Sequence, residues 1–168
     1  MQSMYDPEMV RPMWEELEQV GIQPITSAED VDRYLGNRQG TVLLVINSVC
    51  GCSAGNARPG VMLALQHEVI PDKSITVFAG VDHDATNKAR EYIQDVPPSS
   101  PFIALFKEGE PVFVLERRQI ELMDRDQVAF SLKQAFDEFG SKKGPSIPAE
   151  QFEKITPVQQ CGSTIPLV

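Results

Sequence analysis

Thr41-Val42-Leu43-Leu44-Val45-Ile46-Asn47-Ser48-Val49-Cys50-Gly51-Cys52 joins an unbroken apolar run to two thiols one residue apart. The run has no polar alternation, so it reads as a strand covered on both faces. The cysteines follow where it stops. In open α/β sheets, sites lie beyond the carboxyl ends of the strands. A thiol pair in that place points to redox chemistry more than to structural stapling.

Downstream, a helix is expected over residues 53–69, irregular in its first half because of Gly55, Pro59 and Gly60. Pro59 should kink it or mark where regular helix begins. A second buried strand covers residues 74–79 and a helix residues 85–94. Pro97-Pro98-Ser99-Ser100-Pro101 approaches a third strand over residues 102–106. The turn Lys107-Glu108-Gly109-Glu110 folds that strand into a hairpin with residues 112–115. Asp124 caps a last helix whose apolar members are Val128, Phe130, Leu132, Phe136 and Phe139.

Upstream, Met9, Val10, Met13, Trp14, Leu17 and Val20 have helical spacing, with Gly21 as the stop. Ser27 caps a short helix through Val31, Tyr34 and Leu35. The order α-α, then β-α-β-α-β-β-α, predicts an α/β fold. It is a three-layer α/β/α sandwich with a mixed central sheet, a C-terminal β-hairpin and an N-terminal helical extension. Residues 1–140 make the domain. Residues 141–168, rich in proline and without period, read as a C-terminal extension that is flexible or packs on the domain.

A formal net charge of −9 works against nucleic acid and anionic membrane as partners. The first residues carry no signal-peptide pattern, and no apolar run spans a bilayer, so the expected location is cytoplasmic. Three cysteines in that compartment do not form a disulfide scaffold.

If a helix begins just after the thiols, its unpaired N–H groups and positive end stabilise a thiolate. Cys50, outside the first turn, should be the more exposed and the attacker. Cys52 should be more sheltered and act as resolver. Residues i and i+2 on a helix point about 200° apart. A Cys50–Cys52 disulfide therefore calls for non-helical backbone at Gly51. So small a ring is strained and easily reduced, which suits transfer or isomerisation better than strong reduction.

Three duller readings compete: core filling, regulatory oxidation, and metal or iron–sulfur binding by Cys50 and Cys52. The only other soft ligands are Cys161, His67 and His83. Ser100-Pro101 is a candidate cis bond whose preceding backbone would pair with an extended disulfide substrate. The alternative is an ordinary trans proline opening a strand. Arg58 is either a cation for an anionic thiol or an idle helix-surface charge, and Glu116-Arg117-Arg118 is a solvated edge, the simplest reading, or a defence against strand pairing, or a binding surface for an acidic thiol. No acid precedes Cys50 in its strand to accept the Cys52 proton.

The element order, with cysteines after the first strand and a proline opening the third, resembles the thioredoxin fold. Three stretches are similar to the bacilliredoxins, a bacterial branch of it: residues 47–59 around Cys50-Gly51-Cys52, residues 97–101, and Leu115-Glu116-Arg117-Arg118-Gln119-Ile120-Glu121. The resemblance implies removal of bacillithiol from mixed disulfides on proteins, with weak general disulfide reductase or isomerase activity. Cys50 would take the bacillithiol as a mixed disulfide, and Cys52 or a second bacillithiol would release it. Gly51, Asn56, Arg58, Ser100 and Pro101 are the substrate-binding candidates. The partners implied are S-thiolated client proteins and a low-molecular-weight thiol as co-substrate, with no metal or tightly bound cofactor. The tail and Cys161 lie outside the family pattern.

Overall fold

Asp6 caps the first helix, α1 (Pro7–Glu18), by accepting from the Glu8 N–H. Pro7 fills the first turn, where a missing N–H costs nothing. The computed structural model describes residues 2–158 and 167–168. After α1 come β1 (Gln23–Pro24), α2 (Ala28–Leu35) and β2 (Thr41–Asn47). A π-helical turn (Ser53–Ala57) then runs into α3 (Arg58–Ala64). Next are β3 (Val69–Ile70), β4 (Lys73–Phe78), α4 (His83–Glu91), β5 (Phe102–Lys107) and β6 (Glu110–Leu115). The chain continues through α5 (Arg117–Ile120), α6 (Arg125–Phe139), β7 (Lys142–Lys143) and α7 (Ala149–Glu153).

The main sheet has the order β1-β4-β2-β5-β6. Strands β1, β4 and β2 run parallel, and β5 and β6 are antiparallel additions. The apolar run of β2 is explained by its central place, because every one of its residues is buried. Its side chains alternate between two cores. Leu43 and Val45 join Val61 of α3 and Leu132 and Phe136 of α6 on one side. Val42, Leu44 and Ile46 join Leu35 of α2 and Ala85 and Ala89 of α4 on the other. A third cluster, Val10, Met13, Val49 and Phe78, seats α1 over the carboxyl end of the sheet.

Where α3 crosses α6, a Cβ on Gly60 would stand 2.6 Å from Val128 Cβ. Only glycine permits that approach. Since α3 carries the segment after the thiols, this contact fixes the site against α6.

Three expectations need correction. Strand β1 was absent from the sequence reading because two residues, one of them proline, show no period; it pairs with β4 through Gln23↔Ile75. The helix after the thiols ends at Ala64, and Val69–Ile70 instead pairs with Lys142–Lys143. Residues beyond 140 therefore return to the domain at that point. Phe130 is 63% exposed, because it lies two residues, about 200°, from Val128 on the buried stripe of α6. No helix among the described residues is long and apolar enough to cross a membrane.

Candidate active site

Asn47 ends β2 and is fully buried. Its Nδ2 donates to the Met13 carbonyl of α1 at 3.0 Å. Its Oδ1 accepts from Ser48 N at 2.9 Å, Ser53 Oγ at 3.0 Å and Arg58 Nη1 at 3.1 Å. One amide thus ties the strand end to the helix above it and to the turn below the thiols.

Arg58 is not a surface cation. It is 0% exposed, and its Nε donates to Glu16 Oε1 at 2.7 Å. Its Nη1 also donates to the Ser48 carbonyl at 2.9 Å and Ser53 Oγ at 3.2 Å. The π-turn is how the chain delivers it there. Arg58 N bonds back to Ser53 O, five residues earlier, and Pro59 has no N–H with which to continue an α-ladder. The reading of Arg58 as a contact for an anionic thiol is therefore corrected: a guanidinium committed inside the protein cannot meet a ligand outside it. It holds the thiol loop from below.

Glu16, 2% exposed, receives Arg58 on one oxygen and Val158 N on the other at 2.6 Å. Burial pushes its carboxyl up, while the Val158 N–H and Arg58 pull it back. Burial likewise lowers Arg58, and Glu16 and the nearby Cys50 oppose that. A guanidinium does not deprotonate in proteins, and both Glu16 oxygens accept from N–H donors, as a carboxylate does.

The Cys50 carbonyl accepts from Ser53 N at 3.1 Å and Ala54 N at 3.2 Å, so the helix begins immediately after Cys50. Gly51 and Cys52 are already helical. Both thiols are free here, and the non-helical backbone expected at Gly51 concerns the disulfide form. The two Sγ atoms nevertheless lie 2.8 Å apart, because Cys50 sits outside the helix and escapes its angular spacing. Both cysteines are half-buried, so exposure does not divide their roles.

Their surroundings do. Ser48 Oγ donates to Cys50 Sγ at 3.2 Å and accepts from Cys50 N at 3.3 Å. Cys52 packs against the α3–α6 core. Burial first, then its hydrogen bond to Cys50 and the Cys50 charge, pushes its thiol up to about 12. Arg117 opposes the rise and Glu121 adds to it. Burial and its neighbours thus keep Cys52 a thiol at neutral pH.

The Ser100–Pro101 peptide is cis. The Ser100 carbonyl accepts from Arg117 Nη1 at 3.3 Å. Ser48, Cys50, His83, Arg90, Ser100 and Arg117 border a cleft of about 330 Å³. Asn56 and Gly51 do not border it. Asn56 Nδ2 donates to the Ile120 carbonyl at 2.9 Å, bracing the π-turn against α5. Gly51 faces a neighbouring depression shared with Pro157.

His67 is hydrogen-bonded to Asp137 at 2.7 Å, and His83 to the Gln2 carbonyl at 3.0 Å. Asp82 precedes α4, but its side chain makes no capping bond. Cys161 lies outside the described residues. Among the described residues, no three His, Cys, Asp or Glu side chains cluster as metal ligands. Of the Glu116-Arg117-Arg118 stretch, Arg118 is solvated while Arg117 turns toward the thiols.

The sequence reading missed Glu16, Asn47, Ser48, Ser53 and Arg90. Glu16 had a signal: it stands three residues after Met13 and four before Val20, on the apolar face of α1. Asn47 is the polar residue that closes an otherwise apolar strand.

A sequence family described as "Disulphide isomerase" matches residues 5–140. A bacilliredoxin of Salinibacter ruber is 46% identical over 149 residues, covering 86% of this chain and 86% of its own. One of Cytophaga hutchinsonii is 49% identical over 135 residues, covering 80% of this chain and 99% of its own. The chain belongs to the bacilliredoxin family. A bacilliredoxin of Bacillus cereus is 46% identical over 134 residues, covering 79% of this chain and 93% of its own. A solved protein described as having a thioredoxin fold superposes with a TM-score of 0.54 at 19% identity, covering 70% of this chain and 95% of its own. The fold is thioredoxin-like, and this bacilliredoxin-family chain is a thiol–disulfide oxidoreductase. The family match stops at residue 140, so the Val158 bond to Glu16 joins the family region to a segment beyond it.

Proposed function

We propose that this enzyme removes bacillithiol from mixed disulfides on client proteins. The observation carrying this reading is the 2.8 Å thiol pair at a helix start, with the Cys52 thiol pushed up to about 12 by burial and by Cys50. The Cys50 thiolate attacks the bacillithiol sulfur, a Cys50–bacillithiol disulfide forms, and the client leaves as a thiolate that takes a proton. Capping Cys50 removes two of the influences that raise Cys52, its hydrogen bond and its charge. Arg117 then favours the Cys52 thiolate, which attacks Cys50 Sγ and expels bacillithiol. A second bacillithiol can perform the same release, leaving as oxidised bacillithiol. The co-substrates in this reading are S-thiolated proteins and the thiol itself, in a cytoplasmic setting, without metal or bound cofactor.

Mass spectrometry tests it. Incubation with a client carrying a bacillithiol disulfide should leave the Cys50 adduct on the Cys52→Ala protein, and no adduct on Cys50→Ala. An unmodified Cys50 in both wild type and Cys52→Ala would refute the transfer. A second reading, general disulfide isomerisation, is favoured by the description of the matching family. It predicts faster reactivation of a scrambled disulfide protein than release of a thiol adduct.

A further inference from the structure

Residues beyond 140, where the family match stops, run alongside α3. Gly144 N donates to the Glu68 carbonyl at 2.8 Å and Ser146 N to the Leu65 carbonyl at 2.9 Å, past the end of α3. Val158 N donates to Glu16, the partner of Arg58. Between those anchors, Phe152 of α7 and Ile155 pack against the α3–α6 core. The extension is therefore fastened at both ends of this stretch and in its middle.

Its course along α3 leaves a trough. One depression, of about 420 Å³, lies between Met62 and Leu63 of α3, Arg125 and Asp126 of α6, and Phe152 and Ile155 of the extension. A second, of about 310 Å³, is bordered by Gly51, Ala54 and Gly55. Pro59, Arg125 and Pro157 border both, so the two run into one another. The trough shares no bordering residue with the Cys50 cleft, and the two part at the Cys50–Gly51 peptide. Its walls are mostly apolar. Arg125 faces Asp126 at 3.9 Å, which leaves Glu153 to make the rim acidic.

An apolar side chain gains free energy by leaving water for such a surface. The place where the trough begins says what fills it. A thiol–disulfide oxidoreductase brings a second sulfur to bonding distance of Cys50, and the polypeptide bearing that sulfur then lies across the rim at Gly51, which is exposed. The reaction itself thus carries the client's neighbouring residues to the mouth of the trough. In an extended segment alternate side chains share one face, so every second residue would point at the trough floor.

We infer that the trough is a docking site for an extended, apolar, non-acidic segment of the client, adjoining its disulfide. This rests on the reading above that the substrate is a disulfide carried by a protein. Phe152, Ile155 and Pro157 form one wall, so the extension beyond the family region takes part in choosing clients.

The test uses the full chain and three peptides that share one cysteine carrying bacillithiol. The residues flanking that cysteine are leucine and valine in the first, serine in the second and aspartate in the third. The readout is the ratio of kcat/KM between peptides, which is independent of the folded fraction and of the Cys50 thiolate population. Wild type should favour the leucine–valine peptide over the serine peptide by about tenfold, the scale of burying one large apolar side chain. It should disfavour the aspartate peptide. Gly55→Gln adds a polar side chain where a Cβ meets nothing within 4 Å, so it fills the trough without a clash. Pro157→Asp sets a carboxylate where the two depressions meet. Each should remove most of the leucine–valine preference. Leu122→Ser and Phe130→Ser, which delete apolar side chains exposed elsewhere, should leave it unchanged. A wild-type ratio near one, or a ratio unchanged in both trough variants, overturns the docking site while leaving transfer intact. A ratio that falls with Leu122→Ser or Phe130→Ser instead, or a preference for the aspartate peptide, also overturns it. Failure of wild type on all three peptides overturns the transfer reading and the docking site together.

Discussion

Replacing Glu16 by Gln leaves the Arg58 guanidinium facing a neutral partner in the interior. The side chains are 0% exposed for Arg58 and 3% for Glu16, so water cannot take the missing role. Both carboxylate oxygens are in use, one by Arg58 and one by Val158 N. Gln can keep one of those bonds but not both, because its amide nitrogen does not accept. Stripping one member from a buried ion pair costs about 3–5 kcal/mol. At about 2–4 °C per kcal/mol for a chain of this size, the melting temperature should fall by roughly 6–20 °C. Urea denaturation followed through Trp14, which packs beside α1's buried residues, reads the change directly. The double variant Glu16→Leu/Arg58→Met removes both charges and should recover most of the stability. It should still exchange thiols slowly, because the Ser48 carbonyl, Asn47 Oδ1 and Ser53 Oγ have lost their donor. A Glu16→Gln protein within about 1 kcal/mol of wild type would refute the energetic argument. Wild-type exchange rates in the double variant would refute the positioning argument.

Two other outcomes follow from the same geometry. With its thiol near 12, Cys52 stays protonated at neutral pH, so its thiolate fraction grows about tenfold per pH unit. Its alkylation rate, followed by peptide mass spectrometry, should therefore climb from pH 7 to pH 10 without levelling; a plateau near pH 9 would contradict it. Gly60→Ala should destabilise the protein by about 1–3 kcal/mol through overpacking against Val128. Combining it with Val128→Ala should reduce that clash, and an unchanged denaturation midpoint for Gly60→Ala alone would disprove the close approach.

The framework was readable because its signals are periodic. The apolar run at residues 41–46 announced a central strand, and Gly109 in a four-residue turn announced the hairpin. Ser27 and Asp124 announced helix starts, and both side chains accept from the N–H three residues on. Pro59 announced irregular helix, realised as the π-turn before α3. What escaped was decided by tertiary contact. Strand β1 exists because β4 has a free edge, not because Gln23 and Pro24 favour extension. Phe130 has the residue type of a core position but the wrong angle on its helix.

At the site, position along the chain located the thiols, but direction had to come from the fold. Arg58 and Arg117 are both basic residues near the motif, and only packing shows that one points inward and the other toward the cleft. Glu16 is the sharpest example. The sequence reading looked for an acid ahead of Cys50 in its own strand, whereas the buried carboxylate comes from α1, 34 residues before Cys50 in the chain by its numbering.

The described ends of the chain have a practical consequence. Leu167 bridges Tyr5, and Val168 N donates to the Met4 carbonyl at 3.0 Å. Met4 and Tyr5 themselves border the Cys50 cleft. A fluorophore or reporter group attached to Met4 or Leu167 would therefore hang beside the nucleophile and report on, or obstruct, client access. The Glu108–Gly109 turn lies at the opposite end of the sheet, where Lys107 pairs with Thr41. For immobilisation on a sensor surface, that turn offers a handle that leaves the thiols facing the solution.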